Sequence, residues 1–580
     1  MRTLSFRELT CAFRFRSALV TLLKDDERGS LTIFSLFLFV ILLMTAGMAV
    51  DMVHQEQRRI AMQNAIDSGI LAASSMTQQL DAEALVKEYI AKAGFDPDTV
   101  TVTPADAYAG NNAGLYSREV AVRSDVATET MFMGLLGISS LSSPADGTAI
   151  ETRENVEISL VLDISGSMNW ASADPSKSKL TALQEAAKEF VDVIFATNDP
   201  ERVSISIVPY NQQVHVPNEL MSRLNVNDAT LSVNAPAPYP GALTEYRVND
   251  ANAPCLIFDD ADFKTLALGA GGAFERSTSV LADNYYWELD GQVQQYYQTP
   301  FEWARWCGNF HSKIMPLSND PVALKAHIDG LTALGATAIN IGLNWGLALM
   351  DDGMQSVVDQ MVASGDLSAD VAGRPFAYNT QGVQKYLVLM TDGENTNQLD
   401  LKQEFKSGPT RAWYSPSAGA ASTYGGYFVL MPDNAAEQRW YRPGSPSTGS
   451  DDQRIAEADI PSDAYQLDYH DLYQRFGYRS AAWFLFNNVD VPARTAHDAA
   501  LEDIGGWNTA DTRLGQLCTE AKTNSRVKVF TVAFEAPAGG QSVLQNCAFA
   551  PGFYFDVDGT DIKSAFRSIA GQIALLRLKE

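Results

Sequence analysis

Asp163-Ile164-Ser165-Gly166-Ser167-Met168 directly follows residues 156–162 (VEISLVL), an apolar run of the kind that forms a buried strand. A strand that ends in one carboxylate and two hydroxyls, spaced by two residues, presents three hard oxygen ligands from one tight turn. Such ligands suit Mg²⁺, Mn²⁺ or Ca²⁺ better than zinc or copper. The stretch therefore predicts a strand of an α/β sheet with a divalent-cation site at its end.

Two further polar stretches of the same kind lie far downstream. Residues 335–337 (Gly-Ala-Thr) precede a helical pattern, and residues 391–394 (Thr-Asp-Gly-Glu) follow the apolar run 386–390. Asp-x-Ser-x-Ser, then Thr, then Asp after strands of an α/β sheet resembles the metal-ion-dependent adhesion site of von Willebrand factor type A domains. Taken singly, the two aspartates fit a strand-end turn and a hairpin turn. The three pieces in this order favour metal binding.

The resemblance implies a divalent cation, with Mg²⁺ expected and Mn²⁺ or Ca²⁺ as alternatives. It makes the serine and threonine hydroxyls neutral ligands, while the two aspartates hold the ion directly or through water. Few anionic ligands leave the ion electrophilic, so that an acidic residue of a protein partner can complete its coordination. The five implied ligands are Asp163, Ser165, Ser167, Thr337 and Asp392.

Composition limits the classes of function. The chain has 580 residues, of which 46% are hydrophobic, so it exceeds one ordinary domain and can bury a sizeable core. Its 43 basic and 70 acidic residues give a net charge of −27, which argues against nucleic acid as a partner because phosphate binding needs a cationic surface. The sequence has no His-Glu-x-x-His, no Gly-x-Ser-x-Gly and no Walker phosphate loop. We therefore expect no enzyme.

Residues 31–50 (LTIFSLFLFVILLMTAGMAV) are uncharged and long enough to cross a bilayer as a helix. Basic residues precede them, so the positive-inside rule keeps residues 1–30 in the cytoplasm and exports the chain after Asp51. We expect a retained single-pass anchor in the bacterial inner membrane, with the bulk of the chain periplasmic or exported. A cleavable secretory signal is the alternative. The basic residues are Arg2, Arg7, Arg14, Arg16, Lys24 and Arg28.

A second resemblance lies around this segment. Residues 28–30 (Arg-Gly-Ser), 47–51 (Gly-Met-Ala-Val-Asp), 62–67 (Met-Gln-Asn-Ala-Ile-Asp) and 71–74 (Leu-Ala-Ala-Ser) resemble the amino terminus of TadE/TadG-like pilus-assembly proteins. The resemblance implies a pilin-like helix that continues outward from the membrane. Pilin-like precursors are cut after a glycine with glutamate five residues on, but here Phe34 occupies that position after Gly29. We therefore expect a full-length anchored chain.

The five cysteines also indicate an exported protein. Cys11 precedes the membrane segment and should stay reduced, whereas the other four form an even set on the oxidising side. We expect the pairs Cys255–Cys307 and Cys518–Cys547, because each brackets one local segment. Four buried free thiols are the alternative.

The exported part divides into residues 51–150, a helical extension with a small β-rich stalk, and residues 151–580. The second range alternates strands and helices, which predicts a doubly wound, mainly parallel sheet, and its order resembles a type A domain. Its main predicted strands are 156–162, 202–209, 385–391, 527–534 and 553–556, and its main predicted helices are 179–196, 320–331, 338–350, 510–524 and 561–577.

Two insertions, at about 212–318 and 397–505, exceed a minimal domain and follow strands that point to the metal-bearing edge. Loops of this length are usually functional, and aromatic clusters at residues 285–287, 296–297, 303 and 306 suit partner contact. They form either an interaction surface or small cores of their own.

The two resemblances together cover most of the chain. They imply a non-enzymatic, membrane-anchored TadG-like protein of Tad/Flp-type pilus assembly, which binds an acidic residue of a pilus or envelope component through the cation. One alternative is a surface adhesin for host or matrix ligands. Others are a metal-dependent hydrolase built from the insertions, and a structural anchor in which the metal serves only folding.

Overall fold

The chain divides into two compact units, Met1–Arg153 (unit 1) and Glu154–Glu580 (unit 2). The predicted aromatic clusters at residues 285–303, together with Cys11, lie outside the described residues. The computed structural model describes residues 27–108, 115–232, 241–249, 253–269, 272–277, 306–307, 312–421, 426–431, 439–444, 453–487, 490–525 and 527–576.

The first element in the described part of unit 1 is one long helix, α1 (Glu27–Ser74). Its first part is apolar and long enough to cross a membrane, and it fits a single anchor. Beyond residue 50 the helix carries a buried stripe that includes Ile66 and Ile70. This stripe packs on α2 (Ala82–Lys92), so the predicted helical extension is present as two helices.

A three-stranded antiparallel sheet completes unit 1 in the order β1-β2-β3. Alternation of small apolar and polar residues favours such strands, and Val120 and Val122 of the middle strand join the core formed with α1 and α2. The strands are β1 (Val100–Tyr108), β2 (Leu115–Glu129) and β3 (Ser140–Thr152).

Unit 2 is built on a six-stranded sheet, in which all neighbouring strands are parallel except the edge pair β6–β5. The spatial order is β6-β5-β4-β7-β8-β9, so β4 and β7 are adjacent and their carboxyl ends meet at one edge. The strands are β4 (Asn155–Asp163), β5 (Val203–Tyr210), β6 (Met315–Ser318), β7 (Val383–Thr391), β8 (Lys528–Phe534) and β9 (Tyr554–Val557).

Helices cover both faces of this sheet, so its central strands are buried on both sides. On β4, Leu160 and Leu162 pack with α3, α4 and α8, whereas Val161 packs with α5, α6 and α7. The helices are α3 (Lys179–Thr197), α4 (Pro321–Asp329), α5 (Ile339–Ala348), α6 (Trp507–Asn524), α7 (Ala538–Cys547) and α8 (Asp561–Leu576).

The first insertion is shorter than predicted, because β6 belongs to the main sheet although the sequence placed it within residues 212–318. A four-residue strand that contains Pro316 is too short to show alternation. Within the described part of the insertion, Thr230–Ser232 pairs with Glu245–Arg247, and Leu256–Ile257 pairs with Glu275–Arg276. A short helix, Asn218–Met221, precedes these pairs.

Both expected disulfides are present. Cys255 is bonded to Cys307 inside the first insertion, with a Cα–Cα distance of 6.1 Å. Cys518 of α6 is bonded to Cys547 of α7, with a Cα–Cα distance of 5.0 Å.

The second insertion has its own core. Trp413, Trp440 and Phe428 form one buried cluster, and a second lies around Tyr473 and Leu485. A two-stranded sheet of Leu399–Leu401 and Leu501–Asp503 joins the two ends of the insertion. Its antiparallel five-stranded sheet has the order Gln453–Ile455, Trp440–Arg442, Tyr427–Leu430, Pro409–Tyr414 and Tyr465–Asp468. Its helices include Pro416–Ala421, Tyr469–Arg475, Tyr478–Ala481 and Val491–Asp498.

Candidate metal centre

Asp163 is the last residue of β4, and its carboxylate is fully buried. The Ser165 N–H donates to Oδ1 at 2.7 Å, which closes the turn after the strand. The hydroxyl of Thr391, the last residue of neighbouring β7, donates to Oδ2 at 2.6 Å. Two adjacent parallel strands therefore hold this carboxylate at their common carboxyl edge.

Asp392 follows β7 and meets the first stretch directly. The Ser167 hydroxyl donates to Asp392 Oδ1 at 2.7 Å. The Ser165 Oγ lies 3.0 Å from the Ser167 Oγ and 3.5 Å from Asp392 Oδ1. The residues of the first and third predicted stretches thus form one hydrogen-bonded cluster.

The middle stretch lies against the other two. The Gly166 N–H donates to the Gly335 carbonyl at 2.8 Å, which joins the first two stretches. A Cβ placed on Gly393 would lie 3.4 Å from the Thr337 Oγ1, so this hydroxyl faces the turn that carries Asp392. The structure therefore brings the five predicted ligands together at one edge of the sheet.

Gln212 is a positioning residue that sequence reasoning missed. Its Oε1 accepts from the Ala336 N–H at 2.8 Å, and its Nε2 donates to the Trp306 carbonyl at 3.1 Å. Gly335 has φ +85°, and a Cβ there would lie 1.7 Å from the Gln212 Oε1. Only glycine fits this close approach. The two Gln212 hydrogen bonds tie the loop of residues 335–337 to the disulfide-bonded part of the first insertion.

Lys179 is a second residue that the sequence did not reveal. Its Nζ lies 3.0 Å from Asp392 Oδ2 and 3.7 Å from a Glu535 carboxylate oxygen, and the side chain is buried. It is the first residue of α3, where the helix dipole disfavours a cation. A lysine at the first position of a helix, where a positive charge is unfavourable, is the sequence signal that could have revealed this residue.

The electrostatics of the cluster fit a hard cation. Burial and the neighbouring Asp392 charge raise the pKa of the Asp163 carboxyl to about 7, so the two carboxylates do not readily ionise together even with the Lys179 ammonium beside Asp392. Among the described residues, no group of three or more His, Cys, Asp and Glu side chains is placed to hold a metal. The five predicted ligands offer two carboxylates and three hydroxyls, a combination that would suit Mg²⁺, Mn²⁺ or Ca²⁺ rather than zinc.

This raised pKa predicts pH-dependent cation binding. For Asp163 to act as the expected ligand, its carboxyl must first lose a proton. We expect Mg²⁺ affinity to rise by up to roughly tenfold per pH unit between about pH 5 and 7, then to level off. Calorimetric titration of the full chain in buffers of different ionisation enthalpy measures both the affinity and the released proton. A flat affinity over this range would contradict a protonated carboxyl.

Without a cation, the raised pKa of Asp163 makes stability fall as the pH rises, whereas the expected cation affinity increases with pH. The folded-state pKa of Asp163 lies above the ordinary value of 3.8, so the folded unit binds this proton more tightly than the unfolded chain does. The contribution of Asp163 to the free energy of unfolding therefore falls as the pH rises from about 4 to about 7.

The solved structures that share distant similarity with the chain include three pilus proteins. The pilus adhesin SpaC from Lactobacillus rhamnosus GG is 11% identical, with coverage of 82% of this chain and 34% of that chain and a TM-score of 0.27. The von Willebrand factor domain of the pilus tip protein Mfa5 from Porphyromonas gingivalis is 13% identical, with coverage of 73% and 97% and a TM-score of 0.28. The PilB minor pilin from Streptococcus sanguinis is 13% identical, with coverage of 82% and 78% and a TM-score of 0.27.

At these TM-scores the likenesses establish neither fold nor function, and the chain spans about a third of SpaC. No curated protein matches the sequence. A family model does match the amino-terminal region: residues 29–78 match the Tad family, Flp pilus-assembly TadE/G-like. This range lies within and just beyond α1, and includes the apolar run of residues 31–50. Residues 29–78 are therefore a TadE/G-like Flp pilus-assembly segment at the amino terminus of the chain.

Proposed function

We propose that this chain is a non-enzymatic, membrane-anchored TadG-like protein of Tad/Flp-type pilus assembly, whose unit 2 is a von Willebrand factor type A domain with a metal-ion-dependent adhesion site. One observation carries the proposal: the cluster of Asp163, Ser165, Ser167 and Asp392 lies where two adjacent parallel strands end. The Tad-family match of residues 29–78 supports the connection with pili.

In this proposal the five clustered side chains hold a divalent cation, which supplies an electrophilic position for a carboxylate of the partner. The chain's own residues prepare that position. Thr391 and the Ser165 N–H orient Asp163, while Ser167 orients Asp392. Because this region is largely buried, a charge-assisted contact there is specific. The partner is a pilus subunit or another envelope component that presents an aspartate or glutamate.

The location follows from the anchor. We place residues 31–50 in the inner membrane as a single span, with residues 1–30 cytoplasmic and the chain after Asp51 periplasmic, since the basic residues precede the apolar run. A surface adhesin would instead be exposed to protease added to intact cells, so resistance of unit 2 to that protease supports an assembly role.

Photo-cross-linking in isolated native membranes tests the function. A photoreactive amino acid replaces Ala171, which is exposed and lies four residues after Ser167. We expect a cross-link to a pilus or envelope protein in Mg²⁺ that is lost in chelator and lost in the Asp163→Asn variant. The same cross-link in all three conditions would refute cation-dependent docking.

Trp170 is a further expected contact with the partner. Trp170 is 68% exposed beside the candidate metal centre, and its backbone N–H donates to the Ser167 carbonyl at 2.9 Å. We expect Trp170→Ala to weaken partner binding by about tenfold or more and to leave Mg²⁺ affinity unchanged. The matched control is Phe549→Ala. Phe549 is an exposed aromatic residue whose backbone N–H donates to the Val529 carbonyl near the start of β8, away from the site edge. Equal losses in both variants would exclude a specific role for Trp170.

A further inference from the structure

A strongly apolar, exposed segment forms the turn between β2 and β3. Residues 131–138 (MFMGLLGI), here termed the apolar tip, contain no charged side chain and no side-chain hydrogen-bonding group other than thioethers. Met131 and Leu135 are 79% and 72% exposed, and Leu136 and Ile138 are exposed as well. An apolar surface of this kind marks an interaction site rather than ordinary solvent contact.

The apolar tip is fixed beside the outer end of the anchor. A Cβ placed on Gly47 would lie 2.4 Å from the Phe132 ring, so α1 accepts the tip only because residue 47 is glycine. Asp51 of α1 is buried, and its carboxylate accepts from the N–H groups of Met131, Phe132 and Met133 at 3.0, 2.8 and 2.7 Å. The apolar tip therefore packs directly against α1 around Gly47 and Asp51.

The contact between α1 and the apolar tip lies at the edge of a bilayer crossed by residues 31–50. Gly47 lies three residues before the end of that run, which is roughly 4.5 Å along a helix. Interfacial elements enter a membrane by about 5–10 Å. Val50, Met52 and Val53 of α1 are also exposed, so the apolar surface of the helix continues beyond the span and merges with that of the tip.

The backbone of the apolar tip is well prepared for a lipid environment, in which an unsatisfied N–H group is strongly unfavourable. Asp51 satisfies three N–H groups at the start of the tip. Three more donate to carbonyls within the tip, each at 3.1 Å: Leu135 to Phe132, Gly137 to Gly134, and Ile138 to Met133. The donors at Asp51 also compensate a carboxylate that would otherwise be unfavourable at the membrane edge.

We propose that the apolar tip inserts into the lipid–water interface of the leaflet from which α1 emerges, so that unit 1 contacts the membrane twice. This inference rests on the proposed anchor at residues 31–50. Lipid is favoured over a protein surface because the tip extends the apolar face of the spanning helix and offers no side-chain group for specific hydrogen bonding. The second contact fixes the tilt of the β1–β3 sheet relative to the bilayer.

Depth-dependent fluorescence quenching tests the proposal on the full chain in lipid vesicles. Cys11→Ser removes the free thiol, and Leu135→Cys carries an environment-sensitive NBD label. The matched control is a label at Ala105→Cys, an exposed site opposite Glu119, ten residues from the β2 end and thus roughly 33 Å from the tip. We expect a blue-shifted emission at position 135 and at least twofold quenching by lipids brominated near the headgroup. Neither effect is expected at position 105.

Three outcomes would overturn the proposal. Equal quenching of both labels by aqueous iodide means that the tip is in water. A blue shift without quenching by brominated lipid means that protein covers it. The double variant Leu135→Asp/Leu136→Asp, with the label at Met131→Cys, is expected to lose lipid quenching, and unchanged quenching would also contradict insertion. Carbonate extraction separates the two proposals: a retained chain with an unquenched tip refutes only the tip, whereas an extracted chain refutes the anchor.

Discussion

Asp163→Asn is expected to weaken cation binding strongly while leaving the metal-free fold at least as stable as the wild type. Burial and the nearby Asp392 charge raise the pKa of Asp163 to about 7, so above that pH the ionised carboxylate is unfavourable without a cation. The amide removes this charge and retains an oxygen for the Ser165 N–H. Loss of an anionic ligand should weaken Mg²⁺ binding by roughly 100-fold or more.

Tryptophan fluorescence measures this effect in the full chain, because all nine tryptophans lie after residue 153 and report on unit 2 alone. Mg²⁺ at 100 times its dissociation constant should stabilise the wild type by about 2.7 kcal/mol and raise its unfolding temperature at pH 8. The Asp163→Asn variant should show no such rise.

Asp174→Asn is the matched control for this experiment. Asp174 is a nearby loop carboxylate that accepts hydrogen bonds from the N–H and the hydroxyl of Ser176, outside the cluster of predicted ligands, so this variant should keep the response to Mg²⁺. If Asp163→Asn still responds to Mg²⁺, or unfolds without it, the assignment of Asp163 as a ligand is wrong.

Lys179→Met is expected to have opposite effects on stability and on cation affinity. The substitution leaves Asp392 buried without the ammonium at 3.0 Å, and breaking a buried ion pair from one side costs about 3–5 kcal/mol. The metal-free unit should be destabilised by that amount. A divalent cation replaces the lost positive charge, so Mg²⁺ should restore stability and bind at least roughly tenfold more tightly than to the wild type.

Denaturant unfolding followed by tryptophan fluorescence, with and without Mg²⁺, measures both effects. Lys188→Met is the matched control, because Lys188 lies on the same helix and forms an exposed ion pair with Asp329. Exposed pairs contribute about 0–1 kcal/mol, so this variant should change little and should not respond to Mg²⁺ differently from the wild type. If Mg²⁺ fails to restore the Lys179→Met variant, then Lys179 and the cation do not share Asp392.

Local sequence signals predicted the main sheet because its strands are continuous apolar runs. The run before Asp163 and the run before Asp392 were placed within a few residues of β4 and β7. Parallel strands bring their carboxyl ends to one edge, so the meeting of these two aspartates followed from the pattern. The metal itself stays a prediction.

Contacts between residues far apart in sequence could not be predicted in this way. Lys179 reaches Asp392 across 213 positions, and Gln212 reaches Ala336 across 124, although neither residue belongs to a recognisable motif. Strand β6 was missed because four residues carry too little periodicity, and the helix Gln355–Ser364 lies in a stretch for which no element was predicted. Such contacts depend on tertiary packing rather than on local pattern.

The two-stranded sheet of Leu399–Leu401 and Leu501–Asp503 holds the two ends of the second insertion together, so the insertion can be exchanged as one piece. The chain leaves the sheet after β7 and returns before α6 at the same place. The length of the intervening segment therefore adds little to the entropic cost of loop closure for the rest of unit 2. Their own core makes them self-supporting. Evolution can therefore lengthen, replace or delete this insertion while the sheet edge that carries Asp163 and Asp392 is inherited unaltered.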